Sequence, residues 1–139
     1  MNYNTNKNTL TKDRLEDLYK SNNLPLAGNY SLEKISNSIN NSHLVIDLTD
    51  NEKLAGYCTI ISDGIFYGRI QEIILKPEYK ENTQIIIDLL LFVYENLPLL
   101  KTLHLNPAVI EKKSIYLLKH SAPLPKIKKL FWSIHEDEF

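Results

Sequence analysis

A chain of 139 residues has room for one domain and none for a second core of useful size. Its 43% apolar and 24% charged residues are ordinary for a globular protein, and a formal net charge of -1 gives no global field to draw in nucleic acid or an anionic membrane. The single cysteine, Cys58, excludes an internal disulfide and suits a reducing compartment. His43, His104, His120 and His135 show no metal-ligand spacing, so no metal is expected.

The first ten residues are expected to be disordered. Met1 to Asn8 is polar and Asn-rich, offers nothing to bury, and lacks the apolar core of a signal peptide. A single domain then fills residues 11–139. Thr11 is a plausible N-cap for a helix carrying Leu15, Leu18 and Tyr19 up to Asn22-Asn23. A loop with Pro25 and Gly28 leads to a second helix, started near Ser31, marked by Leu32, Ile35 and Ile39 and ended at Asn40-Asn41. The period then changes: His43 to Leu48 reads as a strand, Asp50 to Lys53 as a hairpin turn, and Leu54 to Ile61 as a second strand. Ser62-Asp63-Gly64 is a strong turn, and Phe66 to Leu75 is a third, longer strand closed by Pro77.

A helix from Thr83 to Asn96 and a short strand, Thr102 to Leu105, follow. That order implies a crossover and one parallel strand pair. A fourth helix is expected from about Ala108 to Lys119, stopped by Pro123 and Pro125, with a last strand at Leu130 to Ile134. The longest apolar run, Ile85 to Val93, contains Asp88 and is too short to span a bilayer, so no membrane span is expected. Enrichment in Asn, Lys and Ile fits AT-rich coding, as in a plastid, an AT-rich bacterium or a virus.

Two helices, three meander strands, then helix, strand, helix and strand is similar to the order of the GNAT superfamily of N-acetyltransferases. Leu54-Ala55-Gly56-Tyr57, Ile61-Ser62-Asp63-Gly64 and Ile70 to Tyr79 (IQEIILKPEY) resemble that family's "LVGYAR…ISDG…IQDVVVHPEYQ". Leu18-Tyr19-Lys20-Ser21, Asn41 to Val45 and Ile127 to Trp132 resemble the cyanobacterial and plastid subgroup that includes plant serotonin N-acetyltransferase. The resemblance covers nearly all of the chain after Leu10. It implies an α/β (α+β) fold with a central mixed, mostly antiparallel sheet flanked by about four helices.

The resemblance also implies three sites. The family binds the acetyl-CoA pyrophosphate with a Q/R-x-x-G-x-G/A loop at a helix N-terminus, where glycines let the backbone close on the anion. Here that loop reads Lys80-Glu81-Asn82-Thr83-Gln84-Ile85, and the glycine positions hold Glu81, Thr83 and Ile85. A carboxylate at the anion site costs on the order of 1 to 4 kcal/mol near 4 Å, and β-branched side chains crowd the approach. The second site is an acid/base pair: Tyr116 matches the tyrosine that protonates the leaving thiolate, and Glu72 matches a carboxylate position suited to a general base. The alternatives are that Tyr116 is a core residue and Glu72 a solvated strand residue. The third is the backbone of Ile73, Ile74 and Leu75, where the pantetheine arm bonds like an added strand.

The helix at 83–96 is apolar nearly all round. Ile86, Leu89, Leu90 and Val93 form one stripe, while Ile87 and Leu91 face outward, a candidate interface for a partner chain or the C-terminal segment. Lys126, Lys128 and Lys129 read as a solvated strand edge, and Cys58 as a buried strand residue. Two functions from different classes follow. One is a GNAT-fold protein with a degenerate loop, binding no cofactor or acetyl-CoA only weakly, and serving a larger protein assembly as a non-catalytic binding or accessory subunit. The other is an active acetyl-CoA-dependent N-acetyltransferase acting on a small-molecule or protein amine. Either would be a soluble protein of the cytoplasm or the plastid stroma.

Overall fold

Polar caps start both N-terminal helices. In α1 (Lys12–Ser21) the Thr11 hydroxyl accepts from the Arg14 amide, and Leu15, Leu18 and Tyr19 are buried. In α2 (Leu32–Asn41) the Ser31 hydroxyl accepts from the Lys34 amide, and Ile35 and Ile39 are buried. The computed structural model describes residues 1–105. The helix expected at 108–119, the strand expected at 130–134, Tyr116 and the cluster of Lys126, Lys128 and Lys129 therefore lie outside the described residues.

Five strands form one sheet in the order β1 (Asn2–Asn4), β2 (Leu44–Asp50), β3 (Lys53–Ser62), β4 (Tyr67–Leu75), β5 (Thr102–Leu105). Every neighbour pair is antiparallel except β4 with β5, which is parallel because α3 (Thr83–Asn96) lies between them in the chain. This is the mixed, mostly antiparallel sheet expected from the sequence. The β2–β3 turn is Asn51-Glu52, with φ of 49° and 68°, the left-handed pair a two-residue hairpin requires. The β3–β4 turn is held by Asp63, whose Oδ1 accepts from the amides of Ile65, Phe66 and Tyr67. These bonds, that from Tyr67 foremost, hold its carboxyl below the usual range.

Two bulges set the sheet's faces. The pairs Leu48↔Gly56 and Thr49↔Leu54 leave Ala55 extra on β3, and Thr59↔Glu72 with Ile60↔Ile70 leave Gln71 extra on β4. A one-residue slip reverses every later side chain. Hence Ile70 and Ile73, three apart, both face α3, while Glu72 and Ile74 face α1 and α2. The α3 side is the larger core, where Ile46, Cys58, Ile60 and Ile70 meet Ile86, Leu89 and Val93.

The N-terminal segment corrects the expectation of disorder over residues 1–10. Asn2, Tyr3 and Asn4 pair with Thr49, Leu48 and Asp47. The Tyr3 hydroxyl donates to the Ile85 carbonyl at 3.2 Å, and its ring lies 5.9 Å from that of Phe92. Thr9 donates to the fully buried Asp47 carboxylate at 2.5 Å. Tyr3 does have something to bury, but only after α3 has been brought beside β1. Ile87 and Leu91 are likewise half buried, packed against the same core as Tyr3 and Phe92.

Candidate ligand site

The segment from Lys80 to Ile85 is built from the helix start upward. Tyr79 ends a short 3-10 turn, and its hydroxyl donates to Asp50 at 2.7 Å, fixing the approach to α3. Asn82 is the N-cap of α3: its Oδ1 accepts from the amides of Gln84 at 3.1 Å and Ile85 at 3.3 Å. Those are the donors that a helix N-terminus otherwise offers to an anion. No residue from 80 to 85 has a positive φ, so the backbone follows the path of ordinary side-chain-bearing residues. Glu81 is exposed in this turn, Ile85 is buried in the core, and the Gln84 side chain donates to Asp88.

The edge of β4 has a second feature. The Lys76 amide bonds the Ala55 carbonyl at 2.8 Å. By the alternation of an antiparallel ladder, Ile73 and Leu75 therefore turn their own N–H and C=O groups away from β3, whereas Ile74 turns its groups toward β3. Among the described residues β5 pairs with β4 only as far as Ile70. The strand edge over 73–75 is thus unpaired on that side among those residues. One of its groups is taken, however: Asn22, just past α1, donates from Nδ2 to the Leu75 carbonyl at 3.0 Å.

On the opposite face of the sheet a cavity of about 620 Å³ lies between α2, the α1–α2 connection and strands β3 and β4. Glu72 reaches into it from β4, beside Thr59 and Tyr57 of β3 and Tyr19 of α1. Burial raises the Glu72 carboxyl above the usual carboxylate range. Among the described residues no cation pairs with it. The Tyr19 and Tyr57 hydroxyls are 2.6 Å apart and share one hydrogen, and burial pushes both phenols up. Among the described residues the buried Thr59 hydroxyl has no hydrogen-bond partner. Ile35, Ile39 and Ile74 supply apolar wall, and Lys34 stands on the α2 side.

Of the residues expected to act, Glu72 is therefore half buried in a cavity and is not a solvated strand residue. Tyr19, Tyr57, Thr59 and Lys34 were not assigned to a site from the sequence; the alternation of Tyr57 and Thr59 on one strand, opposite Glu72 on the next, is the signal that marks Tyr57 and Thr59. Cys58 is fully buried on the α3 side, where desolvation raises its thiol pKa and leaves it inert. Among the described residues no cluster of His, Cys, Asp or Glu could hold a metal, and no helix is long and apolar enough to cross a membrane.

A twisted mixed sheet with α1 and α2 on one face, α3 on the other and an N-terminal helix start beside the β4 edge is the GNAT acetyltransferase fold. Solved structures of that family carry it. A GNAT-family acetyltransferase from Streptococcus pneumoniae is similar with a TM-score of 0.64 at 16% identity, covering 88% of each chain. A protein assigned to the GNAT family from Xanthomonas campestris gives 0.62 at 17% identity, over 97% of this chain and 90% of its own. A GNAT-family acetyltransferase from Staphylococcus aureus gives 0.53 at 19% identity, over 76% of this chain and 83% of its own. No protein-family model matches the chain, and no curated protein matches it by sequence.

Proposed function

We propose that this chain is a GNAT-fold ligand-binding protein that holds acetyl-CoA weakly or not at all and serves as a non-catalytic subunit or accessory factor. The observation that carries this reading is the Asn82 cap, which takes the Gln84 and Ile85 amides. A pyrophosphate placed there has to displace that cap beside the Glu81 carboxylate, without glycines to let the backbone close on it. The Asn22 bond to the Leu75 carbonyl acts in the same direction at the strand edge. With Ile87 and Leu91 half buried against the chain's own core, the binding role is assigned to the cavity rather than to that face of α3. Calorimetry with acetyl-CoA tests the reading. No heat of binding at submillimolar ligand is expected, and micromolar affinity overturns it.

A second reading, an active N-acetyltransferase of the cyanobacterial and plastid kind, is favoured by one observation. Glu72 is a desolvated carboxyl facing a cavity, the environment that suits a general base. Under that reading Glu72→Gln and Tyr116→Phe each cut turnover of a good amine by roughly a hundredfold or more. Acetylation that survives both variants at the wild-type rate removes these residues from the chemistry.

A further inference from the structure

We infer that the cavity over β3 and β4 takes a small zwitterion, an α-amino acid with an aliphatic side chain. This deepens the ligand-binding reading above and rests on it. Five observations carry it. The cavity, at about 620 Å³, is of the size that holds small organic ligands. Glu72 presents a half-buried carboxylate that meets no cation among the described residues, and such a group is matched by an ammonium. Thr59, with 1% of its surface exposed, lines the same cavity and carries a buried hydroxyl with no hydrogen-bond partner among the described residues.

The Tyr19–Tyr57 pair adds a further donor. Two hydroxyls 2.6 Å apart use one hydrogen between them and keep the other free. The fifth observation is Lys34, which lines the cavity from α2, away from the strands that carry Glu72 and Thr59. Among the described residues its ammonium meets no carboxylate, and its one hydrogen bond there is to the neutral Asn29 side-chain oxygen at 3.4 Å. An acid on the sheet and a base on the helix give the cavity two poles. Ile35, Ile39 and Ile74 line it between them with aliphatic surface. A ligand matching all of this carries an ammonium for Glu72, a carboxylate for Lys34 and a branched aliphatic body.

Three compounds sharing that body separate the poles: L-leucine with both charges, isopentylamine with only the ammonium, and 4-methylpentanoate with only the carboxylate. Titrated into the full chain without acetyl-CoA and followed by ¹H–¹⁵N NMR, leucine is expected to bind at least ~10-fold more tightly than either analogue. Lys34→Ala should bring leucine down to the level of isopentylamine, and Glu72→Gln should bring it down to the level of 4-methylpentanoate, both with the amide spectrum otherwise intact. Isopentylamine binding as tightly as leucine overturns the inference, as does saturation by none of the three. A separate acetyl-CoA titration of the same sample reports on the α3 loop alone. Tight acetyl-CoA binding there refutes the non-catalytic reading whatever the cavity does, and absent leucine binding refutes the zwitterion whatever the loop does.

Discussion

If the α3 cap is what excludes the cofactor, opening it should restore binding by a predictable amount. The perturbation is the pair Glu81→Gly and Asn82→Gly. Glycine at an N-cap costs only a few tenths of a kcal/mol relative to asparagine, so the helix should survive. The change frees the Gln84 and Ile85 amides, now held at 3.1 and 3.3 Å by Asn82. Each freed amide contributes about 1 kcal/mol net to a bound diphosphate, after exchange with water. Removing a carboxylate about 4 Å from the anion relieves about 1 kcal/mol more in a water-like dielectric. The sum, about 3 kcal/mol, is roughly a hundredfold in affinity. Calorimetry with acetyl-CoA at low salt measures it, with far-UV circular dichroism to verify that α3 still starts at residue 83. A double variant that keeps its helix and binds no better than wild type refutes the reasoning.

Three further outcomes follow from the site and the sheet. The Glu72 carboxyl titrates above its unfolded value, so the folded state holds that proton more tightly, and stability falls as pH rises from the unfolded pKa through the folded one. Glu72→Gln should therefore raise the melting temperature at neutral pH, with the gain vanishing below the ordinary carboxylate range; a gain independent of pH would contradict this. Tyr19→Phe leaves the Tyr57 hydroxyl, in a side chain 2% exposed, without its partner and should cost roughly 1–3 kcal/mol in urea unfolding. The double change with Tyr57→Phe should cost less than the two singles added, and strict additivity would deny the coupling. At Gly56 a methyl group would run into the Ile74 carbonyl oxygen and come within 2.6 Å of the Leu75 side chain. Gly56→Ala should lower stability by about 1–3 kcal/mol through forced separation of β3 and β4, and an unchanged melting temperature would disprove that contact.

Local chemistry made much of the fold legible. Thr11, Ser31 and Asn82 each cap the helix that follows within four residues of chain, and α3 runs over the Thr83–Asn96 span that its apolar run and end signals indicate. Asp63 and Gly64 likewise close their turn with neighbours only a few residues away. Long-range pairing stayed hidden. Tyr3 sits in a polar stretch and is ordered by Ile85 and Phe92, more than eighty residues on. The extra residues Ala55 and Gln71 carry no marker of their own, because a bulge is defined by what the neighbouring strand pairs with.

The candidate site divides the same way. The sequence alone determined that the α3 entry carries Glu81, Thr83 and Ile85, and that Asn82 stands where a helix cap is local chemistry; the resemblance implies small, flexible residues at the first three of these positions. Only the tertiary structure decided that Asn22 reaches the Leu75 carbonyl and that Glu72 shares a cavity with Tyr19, Tyr57, Thr59 and Lys34. Desolvation of a carboxyl is the work of whatever packs over it, and what packs over Glu72 comes from α1, α2 and β3, up to 53 residues away in the chain.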